Sequence, residues 1–167
     1  GRLIEVGSGM RADDYLQKAV LGPLGMVDTG FFVPPEKADR LVRAYDGKGE
    51  EITAKLPPSS DYLARRPFQS NGGGLVTTAA DWIRFSRMLL NGGTLDGVRI
   101  LKAGTVAEMG RNHLGATQGP LYWYERRAGE AGFSHRFDGY GWGWAIGVRL
   151  EQGPHSMPGT PGELTWG

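Results

Sequence analysis

The residues best suited to metal chemistry in this sequence are its three histidines, because zinc and related metals are held by imidazole, thiolate and carboxylate groups. His113, His135 and His155 are too far apart to form a metal-binding pair on one helix. The sequence contains no cysteine, which excludes thiolate ligands, a thiol nucleophile and disulfides. We therefore predict no metal site and no cofactor.

A serine acts as a nucleophile only when a neighbouring base removes its hydroxyl proton. No Ser-x-x-Lys pair occurs in the chain, and Ser8 is followed three residues later by Arg11. Ser134 fails the nucleophile-elbow pattern, because Arg136 stands where a glycine is required. The glycines at 72–74 lack the Lys-Ser/Thr of a phosphate-binding loop. The sequence therefore predicts no catalytic residue inside the chain.

An aromatic-rich stretch over 122–144 offers a different kind of chemistry. One interpretation is a platform on which sugar or other rings stack, which would make the chain a non-catalytic binding module. The other interpretation is a buried sheet face, which the regular alternation favours. The residues concerned are Tyr122, Trp123, Tyr124, Tyr140, Trp142 and Trp144.

Helical signals dominate the first two thirds of the chain. Apolar spacing, prolines and glycine stops predict helices over 2–8, 12–21, 35–40, 79–91 and 103–110. The best of them is 79–91, where Thr78 and Asp81 have the spacing of a capping box. Trp82, Phe85, Met88 and Leu89 provide its apolar stripe.

Strand signals are fewer. We predict a hairpin of 41–45 with 51–55 around Asp46-Gly47, and a tight turn at Asp96-Gly97 between two short strands. Alternating apolar residues over 141–150 predict one strand of about ten residues. Residues 56–74 read as a long irregular loop, which in a compact domain is often functional.

Composition excludes several functional classes. The 19 basic and 18 acidic residues are interspersed and give a net charge of +1, so no nucleic-acid-binding stripe is expected. No apolar run approaches the length of a membrane span. Without an internal repeat or a linker, residues 1–167 read as a single partial domain.

Five segments, in order along the chain, carry a resemblance to a known family. Residues 21–31 read LGPLGMVDTGF, and residues 72–81 read GGGLVTTAAD. Residues 89–101 contain LLNGG, LDG and RIL, and YGWGW and PGELTWG follow at 140–144 and 161–167. Together they resemble the group of class C β-lactamases, DD-peptidases and family VIII carboxylesterases.

The resemblance implies an α+β fold of the β-lactamase/transpeptidase type, of which this chain holds mostly the helical region and one or two sheet strands. It also implies a serine hydrolase that cleaves an ester, amide or β-lactam through an acyl-enzyme. In that group a serine in Ser-x-x-Lys is acylated and a tyrosine in a Tyr-x-Asn-like motif assists. Both motifs would lie before Gly1, so this chain is expected to be an interior fragment that is inactive alone.

Few residues of the chain match the family's functional motifs. Trp166 and Gly167 match the first two positions of a Trp-Gly-Gly third motif, near which backbone N–H groups hold the oxyanion. Phe68, Ser70, Asn71 and Gly72 match a segment that borders the acyl pocket, although turn chemistry at Asn71-Gly72 is an alternative.

The resemblance also implies partners and local weaknesses. It implies a small-molecule acyl substrate for the parent protein, and unpaired strand edges would permit a homo-oligomer. Arg11 and Lys102 replace residues that cap helices in the family, so each helix start should lose about 1 kcal/mol.

Overall fold

The computed structural model describes residues 1–53, 61–69, 72–115, 138–154 and 156–165. The chain divides into two compact units, Gly1–Ile100 and Leu101–Gly167. Helices and small antiparallel sheets occur together, which confirms the predicted α+β class. The prediction that 1–167 form a single partial domain stays a prediction.

Helices form most of the regular structure of the first unit, and they confirm the predicted positions. Helix α1 spans Arg2–Ser8 and ends at Gly9, which has a φ of 68°. Helix α2 spans Ala12–Leu16 and continues as one π-helical turn over Gln17–Leu21. A 3-10 helix follows at Pro35–Arg40, and helix α3 covers Ala79–Leu90.

Helix α3 contributes to the core of this unit. Met88 is fully buried, while Phe85 and Leu89 pack partly buried against the same cluster. Trp82 is 56% exposed, so the predicted stripe extends one residue too far. The rest of the core cluster comes from Leu21, Leu24, Met26 and Leu95.

The tight turn at Asp96-Gly97 is confirmed. Strands β1 (Thr94–Leu95) and β2 (Val98–Arg99) pair in antiparallel fashion around it. Asp96 and Gly97 have φ values of 48° and 81°, the left-handed backbone that a two-residue hairpin turn requires.

Of the predicted hairpin over 41–55, the described residues form a single bridge, between Tyr45 and Glu51, and residues 54 and 55 lie outside the described part. The Asp46 carboxylate accepts hydrogen bonds from the backbone N–H of Lys48 and of Glu50. This side-chain turn makes the loop longer than the two-residue turn that Asp46-Gly47 predicts.

The second unit contains helix α4, Ala103–Met109, where a helix over 103–110 is predicted. It also contains a three-stranded antiparallel sheet in the order β3-β4-β5. The strands are β3 (Tyr140–Trp142), β4 (Gly147–Arg149) and β5 (Leu164–Thr165).

The prediction of one strand over 141–150 is wrong, because the chain reverses at 143–146. Trp142 pairs with Gly147, and the Gly143 N–H donates to the Ile146 carbonyl at 2.8 Å. Ala145 turns the chain with a φ of 58°. Cross-strand partners share a face, so Tyr140 and Trp142 lie on the opposite face from Val148.

A close backbone approach explains why the chain turns at Gly143. A Cβ atom there would overlap the Met109 carbonyl oxygen at the end of α4, so only glycine fits. The next residue, Trp144, donates its N–H to that carbonyl at 3.1 Å. A two-residue reversal leaves the apolar alternation intact, which is why the pattern did not reveal it.

In the part of the chain that the structure describes, no helix has the length and hydropathy of a membrane span. Large apolar side chains are exposed at Leu3, Val42 and Leu90, with 89%, 84% and 83% of their surface accessible. The possible homo-oligomer stays a prediction.

Candidate functional site

The loop that leads from residue 66 to residue 78 contains the predicted pocket segment. Phe68 is 59% exposed and Gly72 is also exposed, while Ser70 and Asn71 lie outside the described residues. A carboxylate lies near each end of this loop. Asp13 accepts hydrogen bonds from Arg65 and Gln69 at its start. Asp81 binds Asp28 and Thr29, whose segment pairs with the loop at its end.

Asp81 lies in the first turn of α3 and is only 4% exposed. Its backbone N–H donates to the Thr78 hydroxyl at 3.3 Å, which confirms half of the predicted capping box. Its carboxylate has a different role from the one predicted. Oδ2 accepts from the Asp28 N–H and from the Thr29 hydroxyl, each at 2.8 Å.

A hydroxyl pair extends this contact to the loop itself. The Thr29 and Thr77 hydroxyl oxygens lie 2.7 Å apart. The Thr29 hydroxyl donates to Asp81, and the Thr77 hydroxyl also lies 3.3 Å from the Thr78 carbonyl, to which it can donate. Gly30 and Val76 also exchange two backbone hydrogen bonds, at 3.1 and 2.9 Å. Residues 28–30 and 76–81 are thereby joined side by side.

The Asp28 side chain faces two cations. Arg40 makes a bidentate contact with it at 2.9 and 2.8 Å, and Lys37 Nζ approaches to 2.6 Å. Hydrogen bonds from Arg40 and then from Lys37 hold the pKa of the Asp28 carboxyl well below its usual range. The group remains ionised and ties the 3-10 helix to the segment that Asp81 holds.

Asp13 holds the start of the loop. Its carboxylate accepts from Arg11 Nε at 3.1 Å, from Arg65 Nε at 2.7 Å and from Gln69 Nε2 at 3.5 Å. Arg11 also donates to the carbonyl of Arg66 at 2.8 Å. Arg11 makes no side-chain cap on α2, as predicted, but it connects that helix to the loop.

These contacts change the pKa of Asp13. Partial burial is the largest influence and raises the pKa, but hydrogen bonds from Arg65 and Arg11, together with their charges, lower it from 3.8 to about 2. A carboxylate whose pKa is lower in the folded state stabilises the fold above its unfolded pKa. That stabilisation is lost as the pH falls through the folded pKa.

We expect the Asp13→Asn variant to unfold at a lower urea concentration than the unmodified chain at pH 6. This difference in urea midpoint should shrink between about pH 4 and about pH 2. Asp39→Asn is the matched control, because Asp39 lies exposed on the 3-10 helix. A difference that stays constant over this pH range would show that Asp13 does not stabilise the fold through its charge.

A cavity of about 590 Å³ opens beside the bridge between Gly30 and Val76, both of which line it. Its wall is mainly apolar, with polar groups at Thr29, Thr77 and Lys37. Phe68 and Gly72 do not line it, and Ser70 and Asn71 lie outside the described residues, so the assignment of these pocket residues stays a prediction. The apolar part of the wall includes Val27, Phe32, Val33, Leu41, Val42, Leu75 and Val76.

The third-motif candidates belong to the second unit. Strand β5 pairs with β4 through Val148 with Leu164 and Gly147 with Thr165. Trp166 and Gly167 follow Thr165 directly in the sequence and lie outside the described residues. Their assignment stays a prediction. Among the described residues, no group of His, Asp and Glu is arranged to hold a metal ion.

Comparison with known proteins identifies the family. The family model described as Beta-lactamase matches residues 1–166, which is almost the whole chain. The chain belongs to the Beta-lactamase family. The resemblance carried by the five segments is thereby confirmed.

Two relatives illustrate the range of this family. The chain is 33% identical over 150 residues to penicillin-binding protein 4 of Amycolatopsis lactamdurans, a match that covers 87% of the chain and 34% of that protein. It is 29% identical over 119 residues to lovastatin esterase of Penicillium rubens, which covers 69% of the chain and 29% of the relative.

A solved structure supports the fold. EstCE1, described as a hydrolase with promiscuous acyltransferase activity, superposes with a TM-score of 0.62 at 22% identity, over 89% of the chain and 38% of its own. This Beta-lactamase family chain spans between 25% and 34% of the length of the first curated relatives that it matches.

Sequence reasoning missed the roles of Asp13 and Asp81 in holding the loop. Both residues lie in the first turn of a helix, where the helix dipole favours acidic residues, so their positions have a local explanation without any distant partner. Their partners lie far along the chain: Arg65 is 52 residues from Asp13, and Asp28 is 53 residues from Asp81. The sequence signal for this contact is the presence of Asp28 in the DTGF segment together with Asp81 at the end of GGGLVTTAAD.

Proposed function

We propose that this chain is an interior segment of a larger serine hydrolase, in which an acyl-enzyme forms on a serine outside the chain and is then hydrolysed. The match of the family model over residues 1–166 is the observation that carries the proposal. The chain spans only part of its relatives, and it contains no Ser-x-x-Lys motif of its own. The chain therefore contributes residues that surround the active site, and the nucleophilic serine comes from outside it.

The chain's own residues have two roles in this proposal. Asp13 and Asp81 hold the loop that carries Phe68 to Gly72, which borders the acyl pocket. Strand β5 leads to Trp166 and Gly167, near which backbone N–H groups stabilise the negative oxygen that develops when the serine attacks the carbonyl.

An ester is the substrate class that the third motif favours among esters, amides and β-lactams. Members of the group with β-lactamase activity carry Lys-Thr-Gly in this motif, whereas esterase-like members often carry Trp-Gly-Gly. Here the motif begins with Trp166, which brings no positive charge to the site. The name of the lovastatin esterase relative agrees with this choice.

The test uses the full-length protein that contains this chain. We expect its reading frame to encode Ser-x-x-Lys upstream of Gly1, Tyr-x-Asn or a close variant just before Gly1, and glycine after Gly167. Short-chain p-nitrophenyl esters should be hydrolysed faster than a chromogenic β-lactam or a D-amino-acid peptide. Mass spectrometry should detect an acyl adduct on the serine of the motif.

Replacement of that serine by alanine is the decisive variant, because the acyl-enzyme has no other route. Ester turnover should fall to background while the variant unfolds at the same temperature as the unmodified protein. A frame without Ser-x-x-Lys, or turnover that survives the replacement, would exclude the serine hydrolase.

The alternative of a binding module that uses 122–144 depends on residues that lie mostly outside the described part. Of the described aromatic residues, Tyr140 is only 2% exposed and so offers no free ring face. Trp144 is 52% exposed and stacks on His113 with ring centroids 5.6 Å apart. A shift of tryptophan fluorescence on addition of sugars would favour this alternative.

A further inference from the structure

Arg149 is a charged residue that the proposed function does not yet use. It is the last residue of β4, and only 2% of it is exposed. Arginine is rarely this deeply buried unless its charge is paired and its N–H groups are hydrogen-bonded. Its guanidinium lies over the Tyr140 ring, 4.6 Å from the centroid, which is a cation–π geometry.

The guanidinium makes its hydrogen bonds to the return loop between β4 and β5, residues 150–163. Nε donates to Glu163 Oε2 at 2.9 Å, and Nη2 donates to the Met157 carbonyl at 3.0 Å. Nη1 approaches the Ser156 hydroxyl at 3.2 Å and Gln152 Oε1 at 3.5 Å. One side chain therefore fastens the loop at several points along its length.

The loop closes directly over this side chain. A Cβ atom on Gly159 would lie 2.7 Å from Arg149 Nε and would overlap the Glu163 carboxylate. The position therefore accepts only glycine while the ion pair is in place. The fit links the path of the loop to the Arg149–Glu163 contact.

The backbone of Arg149 fixes the same loop at its end. The Arg149 N–H donates to the Glu163 carbonyl, and the Gly162 N–H donates to the Arg149 carbonyl, each at 2.9 Å. The next residue after Glu163 begins β5, whose Leu164 pairs with Val148. A slip of one residue in this pairing would turn every β5 side chain to the other face of the sheet.

We propose that Arg149 is a positioning residue for the third motif. Through Glu163 and the return loop it sets the register of β5, and Trp166 and Gly167 follow β5 directly in the sequence. The register thereby determines where the backbone N–H groups near the motif lie relative to the reacting carbonyl. This inference rests on the proposed function, because only a hydrolase makes use of that placement.

A positioning role predicts a particular kinetic signature. The oxyanion exists only in the transition state, so displaced donors lower kcat and leave substrate binding nearly unchanged. A displacement of about 1 Å costs about 100-fold in rate. A purely structural arginine would lower the unfolding temperature and leave the kcat of the folded enzyme unaltered.

The experiment compares variants of the full-length protein below their unfolding temperatures. Arg149→Met should lower kcat for the ester about 10- to 100-fold, with KM changed less than about threefold. Glu163→Gln keeps the shape of the partner and should reproduce part of the loss, and the double variant should lose less than the product of the two single effects. Arg149→Lys should recover part of the activity, since it keeps the cation over Tyr140 but not the planar fork.

Arg111→Met is the matched control, because Arg111 belongs to the same unit but its side chain is 65% exposed and contacts Glu108. It should leave kcat and KM unchanged. Hydrogen exchange gives a readout independent of activity. The amides of Arg149 and Gly162 should lose protection in Arg149→Met and keep it in the control.

Each outcome decides between the claims. An unchanged kcat in Arg149→Lys, Arg149→Met and Glu163→Gln would overturn the positioning role, and so would unchanged exchange at Arg149 and Gly162. A full-length protein that hydrolyses none of the three substrate classes would overturn the proposed function instead. In that case the exchange data still decide whether Arg149 holds β5.

Discussion

When the 167-residue chain alone is mixed with a p-nitrophenyl ester or a chromogenic β-lactam, the rate of hydrolysis should equal the buffer background. The full-length protein should hydrolyse the ester about a million-fold faster, since removal of a catalytic serine typically costs about that factor in kcat. The physical reason is that a neutral hydroxyl attacks a carbonyl only when a base takes its proton.

Two of the described serines, Ser8 and Ser156, are engaged in other hydrogen bonds. The Ser8 hydroxyl donates to the Ile4 carbonyl at 2.6 Å within α1. The Ser156 hydroxyl donates to the Gly153 carbonyl and accepts from Arg149. Neither of these two hydroxyls donates to a lysine, a histidine or a carboxylate.

The assay needs a control for contaminating esterases, which are common in expression hosts. The chain should therefore be compared with variants in which each of its own serines is replaced by alanine. Saturable turnover that one such replacement abolishes would contradict the prediction and would place a nucleophile inside the chain.

Local sequence signals predicted the elements that local physics determines. Thr78 caps α3 and apolar residues repeat at helical spacing, so its predicted bounds agree with Ala79–Leu90 to within one residue. The Asp96-Gly97 turn is likewise specified by its own two residues, both of which adopt positive φ. In such cases the stabilising contacts lie within one turn of the residues that signal them.

The hairpin of the second unit shows where a local pattern fails. The apolar alternation has a period of two residues. The turn at 143–146, with two residues at its centre, preserves that period but places Val148 on the opposite face from Trp142. The reversal depends on the Met109 carbonyl, which lies against Gly143. A contact between residues so far apart in the sequence leaves no trace in the pattern of the strand.

The functional region likewise has parts that the sequence predicted and parts that it did not. The order of five motifs revealed the family, because each motif is read from contiguous residues. The attachments of the loop to Asp13 and Asp81 were not predictable, since their partners lie about fifty residues away and the same carboxylates have an adequate local explanation at the starts of α2 and α3.

Asp81→Ala should lower the free energy of unfolding by about 2–3 kcal/mol. The substitution leaves the Asp28 N–H and the Thr29 hydroxyl without their acceptor, and because both groups are only partly buried each costs about 1 kcal/mol, the lower end of the usual range. It also removes the negative charge from the first turn of α3, where the helix dipole favours it.

Two further variants separate these contributions. Asp81→Asn retains an oxygen that can accept both hydrogen bonds and should lose only about 1 kcal/mol, the part due to charge. Asp39→Ala, on the exposed surface of the 3-10 helix, should change the free energy of unfolding by less than about 0.5 kcal/mol. Urea titrations at pH 7 measure the free energy of unfolding of all three variants.

The same substitution should release the loop before the whole unit unfolds. Thr29 loses the acceptor that holds its hydroxyl in place beside Thr77, so the Gly30–Val76 bridge loses its neighbouring support. Hydrogen exchange at the Gly30 and Val76 amides should therefore accelerate more in Asp81→Ala than exchange at the amide of Met88 in the core. If Asp81→Ala unfolds at the same urea concentration as Asp39→Ala and the Gly30 and Val76 amides keep their protection, Asp81 does not hold the loop. In that case the contacts of Asp81 with Asp28 and Thr29 have no part in shaping the site.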